Sequence, residues 1–342
     1  MKKLFIAALA LASVACTKSE VLETAPQKAI SFGKPFVENA TKAIDPSLTA
    51  TTLDSFKVYG TLTNSDNQQT RIFDGTTVYK STATDRTIGK TWFYEDAAVQ
   101  YWIPGNKYNF AALKNAKEVT SYTNNLPAAV SYEADGATDL LYAKSALDIR
   151  TDVTGFDSDV KFTFNHLLSK VKFTFINGYP ADSKLVVEVS NVKIINAYTS
   201  GVCTLTGEAP TWGTFDTANK MIEFGNIVQN GTDNSEVVYS MPATGALSGT
   251  DWTTKEGFSS NYERLLIPGQ ESFNITFKAN VLLNDVVVNS YTTSEITVTG
   301  GLKPGHSYNF VGTIGQNLDK ITFSVKEVNG FTPTADQPIT VQ

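Results

Sequence analysis

Cysteine is almost missing from this chain. Its 342 residues include two, Cys16 and Cys203. An N-terminal motif described below claims Cys16, so no intrachain disulfide is expected. Cys203, within Val202-Cys203-Thr204-Leu205, reads as a small buried hydrophobe. Histidine is as scarce: His166 and His306 stand far apart, with no Cys or carboxylate beside either at metal-ligand spacing. There is no Gly-rich phosphate loop and no Gly-x-Ser-x-Gly elbow. Asn64-Ser65-Asp66-Asn67-Gln68 gathers oxygen ligands without the Gly and closing Glu of a calcium loop, and reads as a loop tip. The sequence therefore predicts no catalytic residues, no metal and no cofactor. A converging carboxylate pair of the glycosidase kind is the one enzymatic alternative, since such pairs meet only in the fold. Basic runs are absent too, and the formal charge is −6, passing to −8 once Lys2 and Lys3 leave with a leader. That balance does not suit nucleic acid. Beyond the N-terminus no run approaches the roughly 20 apolar residues that span a bilayer.

What is present begins with an export signal. Met1-Lys2-Lys3 is a short positive region, and Leu4 to Ala12 is an apolar run of signal-peptide length. Ser13-Val14-Ala15-Cys16 has the shape of a lipobox, where signal peptidase II cuts before a diacylated Cys, with Ser13 where Leu is usual. The alternative is an ordinary secretory cut near Ala15. The expectation is a signal peptide over 1–15, lipid on Cys16 and a polar tether over 16–29. Ile30 to Val37 then reads as a strand, with Pro35 marking a sheet edge. Lys42-Ala43 follows in polar surroundings.

The rest of the chain is short alternating runs such as Phe56–Gly60, Tyr101–Ile103, Tyr108–Phe110, Val171–Ile176, Leu185–Val189 and Phe273–Phe277, broken by Pro-Gly and Asn-Gly turns. Lys114 to Val119 is the one stretch that reads as a turn or two of helix. Many short strands at this spacing predict antiparallel β-sandwiches. A boundary near Asn165–Ser169 gives one domain over 30–165 and a second over 166–342. Tyr108-Asn109-Phe110 after Pro104-Gly105 and Tyr308-Asn309-Phe310 after Pro304-Gly305 suggest a distant internal repeat. Ile339-Thr340-Val341 is a last edge strand or a mobile tail. Trp92, Trp102, Trp212 and Trp252 are dispersed, which favours packing over sugar stacking.

The order and spacing of several short segments resemble the fimbrillins, the type V pilins of Bacteroidota. They are the lipobox; Ile30-Ser31-Phe32 leading to Thr41-Lys42-Ala43; Leu53 to Tyr59; Tyr101 to Gly105 with Tyr108 to Ala111; Asp139 to Ala143; Phe164 to Phe173; Leu266 to Pro268; and Leu302 to Tyr308. Lys42 departs from the commoner Arg. The resemblance implies an all-β chain of two tandem antiparallel transthyretin-like β-sandwich domains, exported as an outer-membrane lipoprotein precursor. It further implies that a trypsin-like protease cuts after the first strand, here at Lys42–Ala43. Lys34, Lys57, Arg71 and Arg86 are also basic, but Lys34 precedes Pro35, where such enzymes cut poorly. Ile30, Phe32 and Phe36 would then leave a groove, and Ile339 and Val341 of another subunit would enter it. Implied partners are other copies, related fimbrial subunits, the protease, the outer membrane through lipid, and a host or bacterial surface receptor; the implied location is the cell surface and its fimbria. The alternatives are a tip or anchor subunit, or a surface lipoprotein that binds a glycan or host ligand without polymerising.

Overall fold

The computed structural model describes residues 28–37, 52–80, 92–95, 98–145, 149–150, 159–229, 238–243, 258–260, 262–293, 296–299, 301–315, 321, 323–329 and 338–340. The chain is an all-β protein of curled and packed sheets, as its alternation predicts. The predicted runs at Phe56–Gly60, Tyr108–Phe110, Val171–Ile176, Leu185–Val189 and Phe273–Phe277 lie inside the strands Ser55–Thr63, Lys107–Lys114, Ser169–Asn177, Leu185–Tyr198 and Ser272–Leu283. Tyr101–Ile103 makes only a single bridge, from Tyr101 to Ala29.

Among the described residues, an eight-stranded sheet contains every strand of the N-terminal half except Glu118–Thr123 and Leu126–Glu133. Its central strands are buried on both faces. Phe110, Ala112, Leu141 and Ala143 face an aromatic N-terminal core, while Ala111, Leu113, Leu140 and Tyr142 face a middle core. A third core lies between a seven-stranded and a six-stranded sheet of the C-terminal half, with Phe173, Phe175, Phe310 and Phe323 facing Val189, Ile194, Phe273 and Phe277.

The middle core is covered by a four-stranded sheet drawn from both halves. Leu126–Glu133 pairs with Ser200–Thr204, from Ser200↔Glu133 to Thr204↔Ala129. Strand pairing thus crosses position 165. Most ladders are antiparallel, but Ser169–Asn177 pairs in parallel with His306–Ile314, two strands far enough apart in sequence for a crossover.

The helical reading of Lys114–Val119 is corrected. Lys114 ends one strand, Glu118 begins the next, and Asn115 turns the chain at φ +63°. Asparagine tolerates that left-handed conformation, so a run of good helix formers is cut by one residue. Asn64–Gln68 is a hairpin tip: the Asn64 side-chain oxygen accepts from the backbone N–H groups of Asp66 and Gln68. Cys203 is fully buried and burial pushes its thiol up to about 12.

The two Pro-Gly turns carry the same hydrogen bond. Ile103 N–H donates to Tyr108 Oη at 2.8 Å, and Lys303 N–H donates to Tyr308 Oη at 2.8 Å. In each case a buried tyrosine reaches back over a turn whose glycine has positive φ, at Gly105 and Gly305. The suggested sequence repeat is thus one structural device used twice.

Candidate functional site

Residues 28–37 form the most unusual part of the N-terminal core. They lie between two other segments, antiparallel to residues 100–102 and parallel to residues 159–164. On one side Ile30 N–H donates to Gln100 O at 2.8 Å and Trp102 N–H to Lys28 O at 2.9 Å. On the other, Val160 N–H donates to Ser31 O at 2.8 Å, while Gly33 and Phe36 N–H donate to Val160 O and Phe162 O, each at 2.9 Å. Only Phe36–Val37 is regular enough to count as a strand, at the end of the eight-stranded order, where Pro35 is tolerated.

Two side chains plug the core. Ile30 is fully buried, and Phe32 is 2% exposed. The Phe32 ring meets Phe73 and Tyr94 edge-on at 5.6 Å, Phe110 edge-on at 6.2 Å, and stacks on Phe162 at 6.1 Å. Edge-to-face pairs in this range are favourable beyond area burial. Gly60 makes room beneath: a Cβ there would come within 2.8 Å of the Phe73 ring and 2.9 Å of Phe110. Tyr94 Oη donates to the Ile30 carbonyl at 2.7 Å, and burial pushes its phenol up to about 12.

Phe36 does not share this role. It is 58% exposed, while Val37 takes the inward position. The inward face is Ile30 and Phe32 at first, then Gly33, Pro35 and Val37. The change falls at Gly33, where a Cβ would sit 3.2 Å from both Asp159 Cβ and Lys161 Cγ. A close backbone approach there moves the segment out of simple alternation, which is why a period of two places Phe36 inside and the fold does not.

Cys16, Lys42, Ala43, Arg86, Val341 and Trp252 lie outside the described residues. Ile339 lies in the strand Pro338–Thr340, which pairs antiparallel with Phe323–Asn329 through Val325↔Ile339, at the end of the seven-stranded order. Phe36–Val37 and Pro338–Thr340 thus stand at the ends of different sheets. Trp92 and Trp102 are core residues, and the Trp212 indole N–H donates to Leu167 O at 2.7 Å.

One buried pair is not foreseen from the sequence. His166 Nδ1 lies 2.8 Å from Asp139 Oδ2, with side chains 3% and 0% exposed. The two are 27 residues apart, too far for a local motif, and pairing of Thr163–His166 with Leu141–Lys144 brings them together. His306 Nδ1 lies 2.8 Å from Pro304 O. Among the described residues no cluster of three or more His, Cys, Asp or Glu could hold a metal, and no helix is long and apolar enough to cross a membrane.

Fold and site together define a β protein whose N-terminal core is completed by a short segment held between two others. A fimbrillin-like family profile matches residues 41–329, and the chain belongs to that family. It is similar in structure to a fimbrial protein from Bacteroides vulgatus, with a TM-score of 0.60 and 15% identity over 89% of this chain and 100% of that one. It is also similar to a protein provisionally assigned to cell adhesion from Bacteroides ovatus, at TM-score 0.50 and 15% identity, over 90% of this chain and 99% of that one. At such identity these likenesses establish the fold alone. No curated protein matches the chain. Membership of this family supports a fimbrial or adhesive role at the cell surface.

Proposed function

We propose that this chain is a polymerising, stalk-type fimbrial subunit, exported as an outer-membrane lipoprotein precursor anchored through Cys16. A trypsin-like protease cuts at Lys42–Ala43, releasing the lipid and the 28–37 segment together. A strand of another subunit then fills the vacated groove. The observation that supports this reading is the placement of Ile30 and Phe32: a short segment with only two residues of regular strand, held between residues 100–102 and 159–164, fills the centre of an aromatic core.

Removal of residues 28–37 would strip partners from the N–H groups of Trp102 and Val160 and from the carbonyls of Gln100, Val160 and Phe162. Such a row of main-chain groups is a template for strand addition. Each large apolar side chain buried in the groove contributes roughly 1.5–3 kcal/mol. Before cleavage the segment is part of the same chain, so its high effective concentration holds the groove against donors.

The test is to treat purified precursor with a trypsin-like protease and look for detergent-resistant ladders on a gel. The same treatment is applied to Lys42→Ala and to a chain truncated from Thr334. Ladders from the wild type and none from either variant are expected. Normal ladders from both variants would remove the assignment of cleavage site and donor.

A further inference from the structure

Both histidines of the chain, distant in sequence, line one cleft of about 530 Å³. Three parts of the fold meet there. One wall is the strand pair Leu141–Lys144 and Thr163–His166. The second is the turn of residues 205–210, between the paired strands Ser200–Thr204 and Thr211–Gly213. The third is the Pro-Gly turn of residues 303–306.

The walls are pinned to one short stretch of chain. His166 Nδ1 lies 2.8 Å from Asp139 Oδ2. Leu167 O accepts from the Trp212 indole N–H at 2.7 Å, just beyond the second wall. Leu168 O accepts from Gly305 N–H at 2.8 Å, and Ser169 Oγ donates to Lys303 O at 2.7 Å. Consecutive residues 166–169 thus hold all three walls. The His306 ring is turned against its own loop, with Nδ1 2.8 Å from Pro304 O. A cleft held in this way is preformed, so a ligand entering it pays little for ordering the protein.

The lining narrows the ligand. Lys144 and Lys303 are exposed and line the cleft, and among the described lining residues Glu208 is the one carboxylate. The local balance is therefore cationic, in a chain of formal charge −6. Leu205, Pro210 and Pro304 supply apolar surface, while Thr163 and Asn165 supply a hydroxyl and an amide. The volume falls within the roughly 300–1,000 Å³ of small-ligand sites. An ammonium group makes charge-assisted bonds to a carboxylate. Hydroxyl and amide groups match sugar hydroxyls, and the apolar surface matches the C–H face of a sugar ring. We propose that this cleft binds a small carboxylate-bearing sugar, its carboxylate held by Lys144 and Lys303 and its hydroxyls by Thr163 and Asn165. None of the lining residues belongs to the 28–37 segment, so the proposal stands whether or not strands are exchanged.

The test is a ligand-observed NMR titration of the full-length chain with sodium glucuronate, with glucose as the uncharged counterpart and inorganic phosphate as a plain anion. Glucuronate should bind saturably, and glucose and phosphate at least about tenfold more weakly. Lys144→Gln and Lys303→Gln should each weaken glucuronate about threefold to fivefold, and together about tenfold, the scale of exposed charge pairs. Ala209→Trp should abolish binding by filling the cleft while leaving both lysines in place. Lys144, Lys303 and Ala209 are exposed, so all three variants should keep the wild-type melting temperature, and lost binding then reports the site. Absence of saturable glucuronate binding overturns the proposal. Equal binding of glucose overturns the carboxylate, and equal binding of phosphate overturns the sugar. Wild-type affinity in Ala209→Trp, or in the double lysine variant, overturns the placement in this cleft.

Discussion

The N-terminal and C-terminal cores use the same packing devices but are closed differently. Each has a tyrosine reaching back over a Pro-Gly turn, Tyr108 in one and Tyr308 in the other. Each has an in-strand glycine lodged between two rings: Gly60 between Phe73 and Phe110, Gly312 between Phe175 and Phe323. The C-terminal core is then spanned by long continuous strands, Leu185–Tyr198 of 14 residues and Ser272–Leu283 of 12. The N-terminal core is completed by residues 28–37, whose only regular part is a two-residue strand. Main-chain bonds to residues on both sides and the burial of Ile30 and Phe32 hold that segment. It is held as a ligand is, by two deep side-chain anchors and main-chain bonds on either side.

The comparison can be broken first at its anchor. Phe32→Ala in uncut precursor should lower the stability of the N-terminal core by about 3–5 kcal/mol, as buried Phe truncations do. Denaturant unfolding followed by tryptophan emission in a Trp212→Phe, Trp252→Phe background reads this core, because Trp92 and Trp102 both lie in it. Overpacking comes next. Gly60→Ala and Gly312→Ala should each cost about 1–3 kcal/mol, since a Cβ would meet ring atoms at 2.8–2.9 Å in one case and 2.9 Å in the other. Only Gly60→Ala should also accelerate exchange of the backbone amides that hold residues 28–37, measured by hydrogen exchange. If Gly312→Ala does so equally, the two cores are not independent.

Smaller effects sharpen the likeness between the cores. Tyr108→Phe and Tyr308→Phe each remove the hydroxyl that accepts from a backbone N–H and should each cost about 1 kcal/mol. Unequal costs would show that the shared turn is shared in geometry only. Tyr94 offers a pH test. Burial raises its phenol from 10.0 to about 12, so the folded state favours the protonated form. Its contribution is fully present below pH 10 and is lost as pH rises toward 12. Tyr94→Phe should lower stability at neutral pH by about 1 kcal/mol and flatten the decline over that alkaline window. The smallest effect is Phe36→Ala, expected to change stability by less than about 0.5 kcal/mol because the ring is on the surface.

Much of this architecture is legible in the sequence because alternation is a local signal. The strands around Phe56, Tyr108, Val171 and Phe273 follow from it, as does burial of Cys203. What is not legible depends on contacts between distant residues. The pairing of residues 129–133 with 200–204 has no local signature, nor does the approach of Asp139 to His166. Lys114–Val119 misleads because propensity favours helix, whereas Asn115 alone makes the turn. Ile30 and Phe32 are readable as inward residues; the exposure of Phe36 is not, because Gly33 changes the inward face by approaching Asp159 and Lys161.

That change of face at Gly33 limits how residues 28–37 can sit among their neighbours. A strand of uniform alternation looks the same to its neighbours after a slip of two residues, so its register is weakly defined. A segment that presents Ile30 and Phe32 inward, and then Gly33, Pro35 and Val37, has no such translational symmetry. Slipped by two in one direction, it would drive Lys34 among the rings of Phe73, Tyr94, Phe110 and Phe162; slipped the other way, it would put Ile30 there in place of a ring. Residues 28–37 are keyed to their neighbours, with a single seating depth.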